Sequence, residues 1–191
     1  MTVLLRPAVA EDLEEVARLH YRSRLAAYRS FVPIAELTAE PPEALARWWT
    51  ERWPRERHTH VMMLAERDGR LVGFTYVGPY QDPGPGPSNP DDSNPDDGRR
   101  VSVDQTGLGE LYAIHLDPTE WGRDTGRALM IDALATLYWA GWRRAGLWVY
   151  ADNARARHFY ERGGWALGGA ERNGRIGSCV VRQLYYHRPL P

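Results

Sequence analysis

Between Asp117 and Asp132 the chain reads DPTEWGRDTGRALMID. Gly122 and Gly126 frame a loop that carries Arg123 and runs into Arg127, Ala128, Leu129 and Met130, a succession of good helix formers. The apolar run Leu111 to Leu116 that precedes it has a strand's composition and stops at Pro118. A strand, a glycine-bearing loop and a helix start in that order can bind anions. The first backbone N–H groups of a helix lack intrahelical acceptors and stand at the positive end of its dipole, so a phosphate or pyrophosphate docks there without a general base. Arg123 and Arg127 would add cationic donors.

Two common phosphate motifs are absent. Gly122-Arg-Asp-Thr-Gly126 has neither the spacing nor the lysine of GxxxxGK[ST], and no GxGxxG opens a βαβ unit. All 24 basic residues are arginine, which excludes a lysine Schiff base or a lysine phosphate clamp. Cys179 is the one cysteine; it permits no internal disulfide, and without a His or Asp neighbour it reads as core rather than nucleophile.

A second pattern follows the loop. LWVYADNARARHFYERGGW spans residues 147–165: an apolar strand, Asp152-Asn153 as a helix cap, a short helix, and Gly163-Gly164 to end it. It resembles the second motif of the GNAT superfamily of acyl-CoA N-acyltransferases, L-x-V-x-x-x-N-x-x-A-x-x-F/L-Y-x-x-x-G-F/W, at Leu147, Val149, Asn153, Ala156, Phe159, Tyr160, Gly164 and Trp165. The Gly122–Gly126 loop is similar to that family's acyl-CoA loop, Q/R-x-x-G-x-G/A. Here Trp121 stands where Gln or Arg is usual, Asp124 replaces the middle glycine, and Gly126 keeps its register. The opening LRPAVAEDLEEVARLH also resembles the family's first strand and helix.

The resemblance implies a GNAT-like α/β (α+β) domain. Its mixed, twisted sheet of six to seven strands would carry helices on both faces and a splayed pair, 108–116 and 147–150. It implies acetyl-CoA as acyl donor, held by the amides of Gly122, Arg123, Asp124, Thr125, Gly126, Arg127 and Ala128 beside Trp121. The strand amides of Ile114, His115 and Leu116 would face the pantetheine, with Asn153, Ala156 and Phe159 alongside; Asn153 could equally cap its helix. Glu110, eleven residues before Trp121, stands at the offset of the strand glutamate that acts as base in histone-type members. A buried strand carboxylate is costly unless used or paired, and the alternative is pairing to Arg99 or Arg100. His115 is the rival base, placed by strand alternation on the opposite face. Tyr160 occupies the position of the tyrosine that protonates the leaving thiolate. The implied function is transfer of an acetyl group to a primary amine in a ternary complex; the alternative is an inert acyl-CoA-binding domain.

The remaining elements follow from periodicity. Leu13, Val16, Ala17 and His20 recur at helical spacing, and 41–53 reads as a second helix. The family builds its acceptor groove between these helices, so Tyr28, Phe31, Trp48, Trp49 and Trp53 are candidate walls, though aromatics at helical spacing also make plain core. Residues 60–65 and 71–80 form two strands joined at Asp68-Gly69, a strong hairpin signal. Residues 81–106 hold the tandem repeat Ser-Asn-Pro-Asp-Asp and read as a solvated insertion. After the glycine loop, Leu129, Ala133, Leu134, Leu137 and Tyr138 make a helix stripe ending at Gly141, and 176–186 alternates as a closing strand.

A length of 191 residues with 43% hydrophobic content suits a single domain over 1–191. A net charge of -1 argues against a nucleic-acid partner. No apolar run is long enough to span a bilayer, and charges arrive at Arg6, Glu11 and Asp12. The expectations are a cytoplasmic enzyme, no membrane, no metal, an amine acceptor of unstated identity, and compatibility with a homodimer.

Overall fold

The structure, a computed structural model, describes residues 3–81 and 106–191. The Ser-Asn-Pro-Asp-Asp repeat, nearly all of the 81–106 insertion and the expected Arg99 or Arg100 partners lie outside the described residues.

The described chain runs β1 (Leu4–Pro7), α1 (Leu13–Tyr28), α2 (Ile34–Leu37), α3 (Pro42–Glu56), β2 (Val61–Arg67), β3 (Arg70–Pro79), β4 (Leu108–Leu116), α4 (Thr125–Trp139), β5 (Arg144–Tyr150), α5 (Ala154–Arg162), β6 (Ala166–Ile176) and β7 (Cys179–Pro189). The strands form one seven-stranded sheet in the order β1-β2-β3-β4-β5-β7-β6. Every pairing is antiparallel except β4 with β5, which the α4 crossover makes parallel. The sheet is thus mixed, with strands and helices as the resemblance implied.

Local chemistry sets the boundaries. Asp68 and Gly69 have φ of 54° and 72°, the two positive values that a tight hairpin between twisted strands requires. Leu13, Val16 and Ala17 of α1 pack with Leu45 and Trp49 of α3 against Leu64, Phe74 and Tyr76. On the opposite face Met130, Ala133 and Leu137 of α4 and Tyr160 of α5 pack against Leu111, Leu147 and Val149. Two apolar cores therefore sandwich the sheet, and burial of these side chains is the main stabilising term.

Three expectations change. The strand read at 147–150 begins at Arg144. The single closing strand is a hairpin: β6 spans 166–176, turns at Gly177-Ser178, and returns as β7. β6 reads ALGGAERNGRI, whose three glycines and charges give little strand signal, and it forms because it needs only one neighbour at the sheet edge. Third, simple alternation fails in β4. Tyr76 pairs with Ala113 but Val77 pairs with Leu111, leaving Tyr112 as the extra residue of a β-bulge.

Candidate active site

β4 and β5 are joined only at their starts, Leu108 with Arg144, Gly109 with Ala145 and Glu110 with Gly146. Beyond Glu110 they pair no further, although β4 continues to Leu116 and β5 to Tyr150. The middle of the sheet therefore opens into a wedge. The β4–β5 register ends at Glu110 with Gly146, while the other edge of β4 is bonded to β3 as far as Leu116.

The glycine loop closes the wide end. Gly122 has φ 79°, a left-handed turn that glycine adopts without strain. Ala128 donates its N–H to the Asp124 carbonyl at 2.9 Å, so the amides of Thr125, Gly126 and Arg127 precede the first helical acceptor and point out of the helix. This narrows the expected cradle. The Ala128 amide is spent inside the helix, and the Arg123 amide donates to the Glu120 carbonyl at 3.2 Å. Asp124 stands at the N-cap with right-handed φ −75°, makes no side-chain cap and is exposed. A Cβ on Gly126 would approach Leu116 to 3.0 Å and the Phe159 ring to 3.5 Å. Glycine thus lets the start of α4 close on both β4 and α5.

Sequence reasoning missed the anchor of this loop. Glu120 is buried and its carboxylate accepts from Thr125 Oγ1 at 2.6 Å, with Arg67 and Arg123 paired to it at 3.2 Å each. Burial alone would raise its pKa, but these hydrogen bonds and charges hold it below the usual carboxylate range. Trp121 was expected as a departure from the loop pattern; the Arg155 guanidinium lies 4.3 Å from its ring centroid, a cation–π contact joining the loop to α5. No local spacing signals a partner 34 positions away.

Asn153 accepts from the Ala156 amide at 3.2 Å and caps α5, so its capping alternative is the arrangement found. Ala156 and Phe159 are half-buried on α5 and pack on the α4-side core. Tyr160 lies in that same core, among the rings of Phe159, Trp165 and Tyr186 at 5.6, 6.0 and 6.4 Å. Burial pushes its hydroxyl pKa up, which keeps it protonated and able to donate at any working pH.

Glu110 is 5% exposed and occupies the last paired position of β4. Its neighbour Leu111 packs on the α4 side, so Glu110 faces the α1 side, where its charge acts on the Tyr80 and Tyr112 hydroxyls. The bulge at Tyr112 corrects the expected disposition of His115. Tyr112 and Ala113 both pack on the α1 side, and His115 approaches Ser23 of α1 at 3.2 Å through Nδ1 and the His20 ring at 4.1 Å. Glu110 and His115 therefore share a face, with His115 engaged against α1.

The groove walls divide. Tyr28 and Phe31 meet Tyr150 of β5, with centroids 5.0 and 6.2 Å apart. Trp49 is 1% exposed, packed among His20, Phe74 and Tyr76; it is core, and the expectation that it lines an accessible wall is corrected. Beyond Tyr28 and Phe31, α2 is tied to the β6–β7 turn: the Ser178 amide and hydroxyl donate to the two Glu36 carboxylate oxygens, each at 2.7 Å. Among the described residues no His, Cys, Asp and Glu cluster could hold a metal, and no helix is long and apolar enough to cross a membrane.

The sheet is thus open at its centre, with helix-start amides at the wide end and a buried acid at the apex. Residues 21–165 match the Acetyltransferase (GNAT) family model. The chain is 35% identical over 104 residues to a mycothiol acetyltransferase of Cellulomonas flavigena, covering 54% of this chain and 26% of that protein; it thus spans about a quarter of that relative's length. It is 24% identical over 152 residues to the uncharacterized N-acetyltransferase YuaI of Bacillus subtilis, 79% of this chain and 73% of that one. The PaiA N-acetyltransferase of Thermoplasma acidophilum, solved with coenzyme A, superposes with TM-score 0.73 over 99% of both chains at 16% identity. The chain belongs to the GNAT family of acetyltransferases.

Proposed function

We propose that the protein is an N-acetyltransferase in which a primary amine attacks the acetyl thioester directly within a ternary complex. The observation that carries this reading is the arrangement at the apex of the wedge. Glu110 is the last paired residue before β4 and β5 part and faces the α1 side; Tyr160 packs in the α4-side core with Leu111 of β4 and Leu147 and Val149 of β5. A thioester carbonyl lying in the gap has an acid–base group on each side.

The Glu110 carboxylate takes a proton from the acceptor ammonium, directly or through water, freeing the nitrogen lone pair. The N–C bond forms, and β-strand amides bordering the gap stabilise the oxyanion. As the C–S bond breaks, the Tyr160 hydroxyl gives its proton to the departing thiolate, and the nitrogen loses its second proton through water to restore the tyrosine. Glu110 and Tyr160 are the catalytic pair. Thr125, Gly126 and Arg127 bind the pyrophosphate, while Ile114, His115 and Leu116 offer backbone groups to the pantetheine. Tyr28 and Phe31 border the acceptor.

Thiol release from acetyl-CoA with a panel of amines tests the assignment. Tyr160→Phe keeps the ring and its packing, so it should fold and bind CoA yet lose turnover about 10–1000-fold, the usual scale of general-acid effects. Glu110→Gln should shift the rate profile towards alkaline pH, where the amine is already neutral. Wild-type rates in both variants would show that the two residues are structural.

A further inference from the structure

Gly78 of β3 lies in a row across the sheet between two ionisable residues. In the β3–β4 register it stands directly opposite Glu110. On its other side the first β2–β3 pair is Val61 with Val77, so His60, the residue before β2, falls next to Gly78. Opposed residues of antiparallel strands put their side chains on one face. A Cβ on Gly78 would meet Cδ2, Cγ and Nε2 of His60 at 2.2, 2.6 and 2.7 Å; the imidazole therefore occupies the place of the missing side chain. Opposed Cβ atoms in such a pair are about 5 Å apart, so the ring stands at that distance from the Glu110 Cβ, and the carboxyl extends from there. An O–H···N contact between the two closes directly or through one water.

His60 is 4% exposed. Its ring stacks on Tyr76, with centroids 5.2 Å apart, and meets Tyr112 at 5.1 Å. Thr59 Oγ1 donates its hydrogen to the Glu56 carbonyl at 3.1 Å. At its 2.9 Å contact with His60 Nδ1 the hydroxyl oxygen therefore accepts, and Nδ1 carries the proton. In the neutral ring Nε2 is then a bare lone pair, buried and without a hydrogen-bond partner among the described residues. The charged and titratable groups that face this ring are Arg52 and Glu56 of α3, Tyr76 of β3, and Tyr112 and Glu110 of β4. Arg52 and Glu56 are paired to each other at 2.5 Å, and the Tyr76 hydroxyl donates to Glu56 at 2.6 Å. Burial, the leading influence on His60, favours its neutral form. A buried lone pair beside a carboxyl group distinguishes the two states of that group. Ionised, Glu110 brings only acceptors towards Nε2; protonated, it brings the O–H donor that Nε2 lacks.

We propose that His60 and Glu110 form a two-residue base, in which the proton that Glu110 takes from the acceptor ammonium is held between its carboxyl oxygen and His60 Nε2. This rests on the reading of Glu110 as the base. The N–H bond of the ammonium breaks, its electron pair stays on nitrogen, and the proton joins the carboxylate; it returns to water when the product leaves. His60 touches no reacting atom. It is a positioning residue that acts through Glu110 by raising the proton affinity of the carboxylate.

Thiol release from acetyl-CoA, with an amine that the wild type turns over, is measured from acid to alkaline pH for His60→Phe, Glu110→Gln and the double variant. Phenylalanine keeps the ring stack on Tyr76 and Tyr112 and removes the nitrogens. His60→Phe should lower kcat at neutral pH about tenfold with little change in KM. The acidic limb of its profile should move down by about one pH unit, because the remaining carboxylate binds its proton less tightly. His60→Gln, whose amide oxygen accepts at the same reach, should recover part of the loss. The double variant should be no slower than Glu110→Gln alone, since His60 then has nothing to act through. Thr59→Val serves if the His60 variants do not fold: with Nδ1 unsupported the proton moves to Nε2, donates to the carboxylate, and shifts the limb in the same direction. Additive losses in the double variant, or a limb unmoved in both His60→Phe and Thr59→Val, would overturn the proposal and leave Glu110 as base by itself. Wild-type turnover in Glu110→Gln would overturn the reading of Glu110 and this inference with it, so the two failures are separable.

Discussion

Arg123 and Arg127 lie four residues apart at the start of one helix, yet the structure gives them different work. Arg123 is paired to the buried Glu120 and helps neutralise it. Arg127 is exposed and has no ion-pair partner among the described residues, so in the proposed function its guanidinium serves the donor's phosphates. Arg127→Ala should weaken CoA binding by about 1–2 kcal/mol, the scale of a charge-assisted hydrogen bond; calorimetry giving unchanged affinity would remove it from the cradle. The type and spacing of the loop residues made the strand, glycine loop and helix start legible in the sequence. The difference between the two arginines was not, because Glu120 becomes relevant only once Arg67 of the β2–β3 hairpin closes on it. Likewise Trp49, at helical spacing, reads as core or as an accessible wall until α1 and α3 are packed together.

At the scale of elements, helices, the hairpin turn and α5 were readable because each carries its own punctuation: Asp68-Gly69, Gly141, Asn153 and Gly163-Gly164. β6 and the β4 bulge were not. An edge strand rich in glycine draws its stability from β7, and a bulge depends on how β3 and β4 settle against each other, which alternation alone cannot express. The bulge matters most, since it decides that His115 shares the face of Glu110.

α4 carries a further local cost. Asp132 is half-buried, its Oδ2 has no partner among the described residues, and burial raises its pKa. A carboxyl whose folded-state pKa lies above its unfolded value destabilises the fold while ionised. The penalty is full above the folded pKa and vanishes below the unfolded one. Asp132→Asn should therefore raise the melting temperature at pH 7, with the gain over wild type shrinking towards pH 4. An equal gain at both pH values would trace the effect to packing.

At the scale of the whole molecule, the wedge between β4 and β5 leaves the sheet with an edge in its interior. Sheet proteins ordinarily keep bare edges at their rims, where charge, twist or short length protects them. Here the edge lies between two apolar cores, and among the described residues β4 and β5 pair at three positions only. The pantetheine arm is about as slender as an extended peptide, and in the proposed function it would fill the gap as a temporary strand. Its binding should then act as a structural clamp as well as a prelude to chemistry. With CoA at 100 times its Kd the fold should gain about 2.7 kcal/mol, a rise in melting temperature of roughly 5–10 °C for a chain of this length, with slower amide exchange on both sides of the gap. A melting temperature indifferent to CoA would mean that the halves are held rigid without it. If the clamp operates, the lifetime of this protein follows the supply of its own donor: when acetyl-CoA and CoA run low, the molecule is left with an unfilled seam and is the first to open along it.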